Sequence, residues 1–147
     1  MSNSRRNKLP PHDPKSGAYE VDVPSEVVEA MSIALGADVS NVRVIANSKW
    51  ANFLNWLNGF RGYRVDATTL TNTIYLPSHV SPQDFFNNSK LMLHEYYHVV
   101  NQWNNGRMNI FSYLFSPGKW EGEAISFANN NAYIPNHMLF YQGGRRW

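Results

Sequence analysis

The stretch LMLHEYYHVV, residues 91–100, constrains the fold most, because it sets three polar side chains within an apolar run. An α-helix advances about 100° per residue, so His94 and His98 lie about 40° apart on one face. Burial of two histidines and a glutamate without partners is costly. The stretch therefore predicts a buried helix whose histidines share a divalent metal ion or, in the alternative interpretation, bond to backbone carbonyl groups.

The spacing H-E-x-x-H is typical of zinc sites with two histidine ligands and a glutamate base. Two imidazoles on one helical face can bind one zinc ion at about 2.0–2.1 Å, and Glu95 reaches a water on the ion rather than the ion itself. Zinc lowers the pKa of such a water to about 7, and a glutamate here can accept its proton during attack on a carbonyl. The motif predicts one zinc ion, with His94 and His98 as ligands and Glu95 as general base.

A catalytic zinc site needs a third protein ligand and an open position. The only carboxylates after the motif are Glu121 and Glu123, and His137 follows them. On a helix, Glu121 shares its face with small and apolar residues, whereas the face of Glu123 is mixed, and small neighbours let a helix approach the ion. We predict Glu121 as the third ligand, with Glu123 and His137 as alternatives. Asn101 and Gln102 are candidate partners for a histidine N–H.

Hydrophobic periodicity and turn residues predict alternating helices and short strands, which is an α+β fold. The second helix carries apolar residues at helical spacing, which predicts a buried stripe of Trp50, Phe53, Leu54 and Leu57. We expect helices over 24–36, 47–59 and 89–105, a helix capped by Ser81, a last helix from 117 that Pro135 ends, a strand at 41–46, and a strand pair in 62–77 broken near Thr71–Asn72.

Length and composition bound the remaining possibilities. The chain of 147 residues suffices for one domain, and residues 1–18 hold three prolines and few apolar residues. We therefore expect a disordered or surface-draped leader at 1–18 and a single domain over 19–147. The absence of cysteine excludes disulfides and thiolate ligands, and a net charge of +2 does not favour a nucleic-acid partner.

The sequence also bears on localisation. It has no stretch of 18 or more apolar residues, so we expect no membrane span. The basic N-terminus lacks the apolar region of a secretory signal. We expect a protein made in the bacterial cytoplasm, whose export, if any, needs no such signal.

With these residues in hand, the sequence resembles the gluzincins, thermolysin-like zinc peptidases that combine H-E-x-x-H with a downstream glutamate. Residues 34–103 are similar to a small metallopeptidase-like domain found with bacterial contractile injection systems and toxin-delivery proteins. That pattern contains a VRV strand, an A-x-T and I-Y strand pair, and L-x-x-H-E-x-x-H-V-V-x-Q. The stretch EGEAISFANNNAYIP resembles the third-ligand helix of repressor-cleaving phage and radiation-response metallopeptidases, which also assigns the ligand role to Glu121.

The resemblance implies a zincin-like fold, with a small mixed sheet of about three strands packed on the active-site helix and a further helix carrying the third ligand. It implies a zinc metallopeptidase that acts on a protein or peptide, as a bacterial secreted effector or toxin domain. In such peptidases an upstream edge strand binds substrate by β-augmentation, and this role falls on Thr73, Ile74, Tyr75 and Leu76. Candidates for the oxyanion stabiliser are Tyr113, Tyr133 and His137.

Two other functions fit the same residues. One is hydrolysis of cell-wall peptide or amide bonds by the same site. The other is a non-catalytic docking module in which zinc is only a staple, and whose partner is a component of a secretion apparatus or a parent chain. A Glu95→Gln substitution separates hydrolysis from docking, because docking does not need the base.

Overall fold

The structure is a computed structural model that describes residues 12–13, 17–60, 62, 64–104, 106 and 117–141. Helices and short strands alternate along most of this length. One π-helical segment continues the central helix, and another continues the final helix. The elements are β1 (Tyr19–Val21), α1 (Ser25–Leu35), β2 (Arg43–Ala46), α2 (Lys49–Gly59), β3 (Thr68–Leu70), β4 (Thr73–Tyr75), α3 (Pro82–Phe86), α4 (Ser89–Tyr97) with the π-helical segment His98–Trp103, α5 (Pro117–Asn131), and α6 (Tyr133–Pro135) with the π-helical segment Asn136–Tyr141.

The strands form one four-stranded mixed sheet in the order β1-β2-β4-β3. β2 pairs with β1 antiparallel and with β4 parallel, and β3 pairs with β4 antiparallel, which sets Thr69 opposite Ile74. The turn between β3 and β4 passes through Thr71, whose φ of 56° is in the left-handed region. The predicted α+β class is therefore confirmed, with four strands where about three were expected, because β1 was not predicted.

Helix boundaries follow local side-chain signals. Gly36, with a φ of 66°, ends α1 in the left-handed conformation that favours glycine. Ser48 caps α2 by accepting a hydrogen bond from a backbone N–H of the first turn. Ser81 and Asp84 form a capping box on α3, and Asn88 caps α4. The chain therefore breaks near Asn88, and α3 does not run into the central helix.

The hydrophobic core lies between the sheet, α1 and α4. Val44 and Ile74 from the sheet, Met31 from α1, and Met92 and Leu93 from α4 are fully buried in one cluster. α4 also packs against α5. The central helix is thus held on two sides, which fixes the direction of its polar side chains.

The predicted buried stripe on α2 is wrong. Trp50, Phe53 and Leu57 are 42%, 49% and 44% exposed, and Ala51 is the buried residue of this helix. The inward face is polar: Asn52 exchanges hydrogen bonds with Ser78, and Asn55 accepts one from a backbone N–H. Amphipathic spacing located the helix but not the side that faces the core.

The predicted helix end at Pro135 is also wrong. α5 ends at Asn131, and Pro135 is the third residue of α6, which continues as a π-helical segment to Tyr141. Proline is tolerated in the first turn of a helix, where its missing N–H would have no intrahelical partner. The break therefore falls near Ala132, before the proline.

Two further expectations from the sequence concern the N-terminal leader and the absence of a membrane span. In the segment expected to be a leader, His12 donates to the carbonyl of Ser78 and Asn47 donates to the carbonyl of Asp13, at 2.8 and 2.7 Å. Within the described ranges, no helix is long and apolar enough to cross a membrane.

Candidate metal centre

The two motif histidines face one glutamate across the contact between α4 and α5. The Nε2 atoms of His94 and His98 are 3.1 Å apart. Glu121 Oε1 lies 2.7 Å from His94 Nε2 and 3.4 Å from His98 Nε2. The three side chains that were predicted as ligands therefore meet at one point and form a group that could hold a metal ion.

The geometry of this group fits a small divalent ion. Three atoms at these separations lie about 1.8 Å from their common centre, so an ion bonded to each at about 2.0–2.1 Å fits just off their plane. Two imidazole nitrogens and one carboxylate oxygen are also a donor set typical of catalytic zinc. Because the Glu121 side chain is 41% exposed, a further coordination position can face solvent.

The structure brings Glu121, rather than Glu123, to the histidines. Two residues further along α5, Glu123 accepts hydrogen bonds from Tyr97 Oη at 3.0 Å and from the Gln102 amide at 3.2 Å. Successive residues of a helix point about 100° apart, so both carboxylates cannot face the same centre. Glu123 therefore lies behind the ligand group and supports it.

Gln102 fixes the orientation of His98. The buried side-chain carbonyl of Gln102 accepts a hydrogen bond from His98 Nδ1, and the amide group donates to the carbonyl of Trp120 at 3.0 Å. A proton on Nδ1 leaves the lone pair of Nε2 directed at the centre. Of the two residues predicted as candidate partners of a histidine N–H, Gln102 is the one seen in this role.

Glu95 lies beside the ligand group but outside it. Its side chain is buried, and Oε1 accepts a hydrogen bond of 2.6 Å from Thr69 Oγ1 on β3. Its other oxygen, Oε2, lies 3.9 Å from His94 Nε2. The carboxylate is thus anchored through one oxygen and presents the other towards the centre.

The charges of the site depend on one another. Burial raises the pKa of Glu95 against the opposing effects of His98, His94 and Thr69. Burial opposes protonation of His98, but the contacts with Glu121 and the charge of Glu95 raise its pKa to about 9. Burial also disfavours ionised Glu121, yet hydrogen bonds from the two histidines lower its pKa to about 2. The metal-free group therefore holds an ionised Glu121 against protonated imidazole, and metal binding must displace that proton.

The centre opens into a cleft of about 840 Å³. One wall is the stretch 64–69, which leads into β3, and the opposite wall comes from α5. Leu54 and Asn58 of α2 and Leu91 of α4 also line the cleft. The ligand group and Glu95 thus form part of the wall of this cleft.

The prediction that residues 73–76 form an edge strand at the cleft is wrong. β4 pairs with β2 on one side and β3 on the other, so Thr73, Ile74, Tyr75 and Leu76 do not form an edge. Thr73, Ile74 and Leu76 are buried, and none of the four residues lines the cleft. The edge strand at the cleft is β3, because the parallel pairing of β2 with β4 places β4 inside the sheet.

None of the oxyanion candidates is seen at the cleft. Tyr133 is 68% exposed at the start of α6, and His137 is exposed in the helical segment that follows. Neither lines the cleft, and Tyr113 lies outside the described residues.

Thr69 is the site residue that the sequence analysis missed. The A-x-T pattern that carried the family resemblance already contained it, since Ala67, Thr68 and Thr69 occupy those positions. The pattern was interpreted only as a strand signal. Its threonine faces the helix and bonds to the buried carboxylate of Glu95.

Glu121 should contribute far more to metal affinity than Glu123. We expect Glu121→Gln to weaken Zn²⁺ binding by about 100-fold or more, because a direct ligand matters more than a supporting residue, whose loss costs about 10–100-fold. Competition with a chromophoric chelator measures this. Glu123→Gln is the matched variant on the same helix, and Glu29→Gln on α1 should have no effect. A larger loss for Glu123→Gln than for Glu121→Gln would contradict the assignment.

Gln102→Met should weaken Zn²⁺ binding by about 10–100-fold, because the isosteric side chain cannot hold the proton on His98 Nδ1. Chelator competition gives the affinity, and ¹⁵N spectra of the imidazole report the tautomer of His98. Thermal melting of the metal-free variant separates this effect from lost packing. Unchanged affinity together with an unchanged tautomer would show that Gln102 does not orient the ligand.

Comparison with known families adds an independent observation. The family model of the eCIS core domain, from extracellular contractile injection systems, matches residues 22–106. The matched region contains His94, Glu95 and His98, and it ends before Glu121. No curated protein and no solved structure matches the chain. Since the match extends over more than half of its length, the chain belongs to the eCIS core domain family and is linked to contractile injection systems.

Proposed function

We propose that this chain is a zinc-dependent hydrolase of peptide bonds, with a zincin-like fold, that acts as an effector or toxin domain with a contractile injection system. The observation that carries the proposal is the position of Glu95. Its Oε2 faces the ligand group from 3.9 Å, measured to His94 Nε2, while its Oε1 is held by Thr69. A purely structural metal site does not need a buried carboxylate beside its ligands.

Zinc is the ion that this donor set favours. His94, His98 and Glu121 supply two imidazole nitrogens and a carboxylate, which leaves an open position on the cleft side. An ion held there would polarise a carbonyl and lower the pKa of a water molecule. The surrounding residues maintain the three-ligand arrangement, chiefly through the hydrogen bonds of Gln102.

Glu95 is suited to proton transfer by its surroundings. Burial raises its pKa, so the protonated form is more accessible than for a carboxyl in water. The Thr69 hydroxyl donates to Oε1, which leaves Oε2 to accept a proton on the side that faces the cleft. The same carboxyl can then deliver the proton to the leaving amine.

β3 supports a peptide as the substrate. It is the edge strand of the sheet as described, and Thr68 and Thr69 line the cleft. An extended peptide can add to such an edge through backbone hydrogen bonds, with side chains directed into pockets. Leu54, Leu91 and Ile125 give the cleft apolar walls, which favours apolar side chains near the bond that is cleaved.

A second candidate is a non-catalytic docking module. The family match favours it, because the match links the chain to an injection apparatus and ends before the third ligand. In this function a metal ion would tie α4 to α5 and stabilise a surface that a component of the apparatus, or a parent chain, binds. The open cleft and the presented oxygen of Glu95 support hydrolysis over this alternative.

Glu95→Gln should retain Zn²⁺ and lose hydrolysis. A general base contributes about 10²–10⁴-fold to the rate, so cleavage should fall by at least about 100-fold. The zinc-loaded chain is incubated with a peptide library and with intact cell-wall peptidoglycan, and the products are identified by mass spectrometry, which also separates the two substrate classes.

The matched control is Glu29→Gln, an exposed glutamate of α1, which should cleave like the wild type. Zinc content, measured by elemental analysis, must be equal in all three proteins. A zinc-loaded wild type that cleaves neither substrate would favour the docking module, and a Glu95→Gln variant as active as the wild type would refute the base assignment.

Thr69→Val should lower kcat by about 10- to 100-fold and leave the Zn²⁺ affinity unchanged. The reason is that a hydrogen bond to a charged group contributes about 1.5–3 kcal/mol, and here it positions Glu95 without touching the ligands. Thr73→Val is the matched control, because Thr73 is buried on the neighbouring strand β4 and does not line the cleft. An effect confined to KM would indicate that Thr69 serves substrate binding instead.

A further inference from the structure

The outward face of α2 carries an unusual concentration of large apolar side chains. Their exposed fractions are between 42% and 75%. Monomeric proteins seldom expose such groups next to one another, so a contiguous apolar patch of this kind indicates an interaction site. We name this surface the aromatic stripe, which consists of Trp50, Phe53, Trp56, Leu57 and Phe60.

The aromatic rings of the stripe pack on one another along the helix. Ring centroids are 6.3 Å apart for Trp50 and Phe53, 6.1 Å for Phe53 and Trp56, and 5.1 Å for Trp56 and Phe60. The last pair meets edge to face, as aromatic pairs prefer. The stripe is thus an ordered surface that loses little side-chain freedom when it binds.

The inward face of α2 prevents the stripe from turning into the core. Asn52 Nδ2 donates to Ser78 Oγ at 2.9 Å, and Ser78 N donates to Asn52 Oδ1 at 2.7 Å. Asn55 Oδ1 accepts from Val65 N at 2.8 Å, and Ala51 allows close packing. Rotation of the helix would break these bonds, so the stripe stays outside the core of the described fold.

The spacing of the stripe fits contact with another helix. Trp50, Phe53, Leu57 and Phe60 are separated by three, four and three residues, the alternation of a helix–helix seam. The five residues of the stripe are uncharged, the exposed Lys49 stands at its N-terminal end, and the chain carries a net charge of only +2, so two copies repel each other weakly. An uncharged apolar seam is complementary to itself.

The exposed area of the stripe is comparable to the area that a specific dimer interface buries. An aromatic side chain presents about 150–250 Å², so the exposed fractions of the stripe, with Leu57 counted alike, correspond to roughly 400–700 Å² on one copy. Two copies would bury up to about 800–1,400 Å² in total, a range that includes the roughly 1,000 Å² that a specific interface needs. We propose that the aromatic stripe is a homodimer interface, in which α2 packs against α2 of a second copy across a twofold axis.

The dimer would leave the cleft open. Leu54 and Asn58 line the cleft from the flank of α2, and the stripe faces another direction around the same helix. The second copy would therefore stand beside the cleft without filling it. This proposal does not depend on hydrolysis, since it rests only on the surface of α2.

Sedimentation velocity on the full chain, from about 1 to 200 µM, tests the proposal. We expect the wild type to change from monomer to dimer in this range, as an interface of this size allows. The double variant Trp56→Ser and Phe60→Ser should dimerise at least about 100-fold more weakly, because buried aromatic anchors dominate interface energy. Its circular dichroism and melting temperature as a monomer should match the wild type, since both side chains are exposed.

Ile33→Ser is the matched control, because Ile33 is a large apolar residue of α1 with 57% exposure outside the stripe. It should dimerise like the wild type. A wild type that stays monomeric over the whole range overturns the proposal, and a dimer that the double variant does not weaken overturns it equally. In the first case the stripe would serve a different partner, such as a component of the injection apparatus.

A cross-linking measurement provides a second test. Since the chain has no cysteine, Leu57→Cys introduces a single thiol near the middle of the stripe. A twofold axis brings equivalent residues near it together, so mild oxidation should link two copies through this thiol. Ile33→Cys is the control, and equal rates of cross-linking at the two positions would contradict an α2–α2 interface.

Discussion

The contacts of His98 with Gln102, Glu121 and His94 are the interactions on which the rest of the site depends. A buried imidazole is costly unless both ring nitrogens are satisfied. Gln102 accepts from Nδ1, and Nε2 faces Glu121 and His94. Both Gln102 and Glu121 join α4 and its extension to α5, so the same bonds that satisfy one ring also fix the distance between two helices. Packing and ligand geometry are therefore one constraint in this protein.

Glu95 shows how a carboxylate can be near such a group without belonging to it. It follows His94 directly, so the helix turns its side chain about 100° away from the ligand face and towards β3. There Thr69 binds one oxygen, and the fold leaves the other directed at the centre. The edge strand thus has two roles that geometry links: it borders the cleft, and it holds the proposed base in place.

Local signals in the sequence predicted the helices and the ligand group. Features that depend on contacts between residues far apart in the sequence could not be predicted in this way. Capping residues such as Ser81 and the spacing of His94 and His98 act within a few residues, so they can be interpreted directly. The choice of Glu121 over Glu123 also depended on one helical face. The position of β4 inside the sheet depends on its pairing with β2, which lies far away in sequence. The exposure of Trp50 follows from hydrogen bonds of Asn52 and Asn55 that no periodicity reveals.

The boundary of the family match separates two parts of the chain. Residues 22–106 contain Thr69, His94, Glu95 and His98, and α5 supplies Glu121 from outside this region. In this chain the matched region alone thus holds two of the three ligands and cannot complete the group. The family match thus covers residues 22–106 only, whereas completion of the ligand group also needs α5 docked on α4. The bonds of Gln102 to Trp120 and Glu123 are the physical link between the two parts.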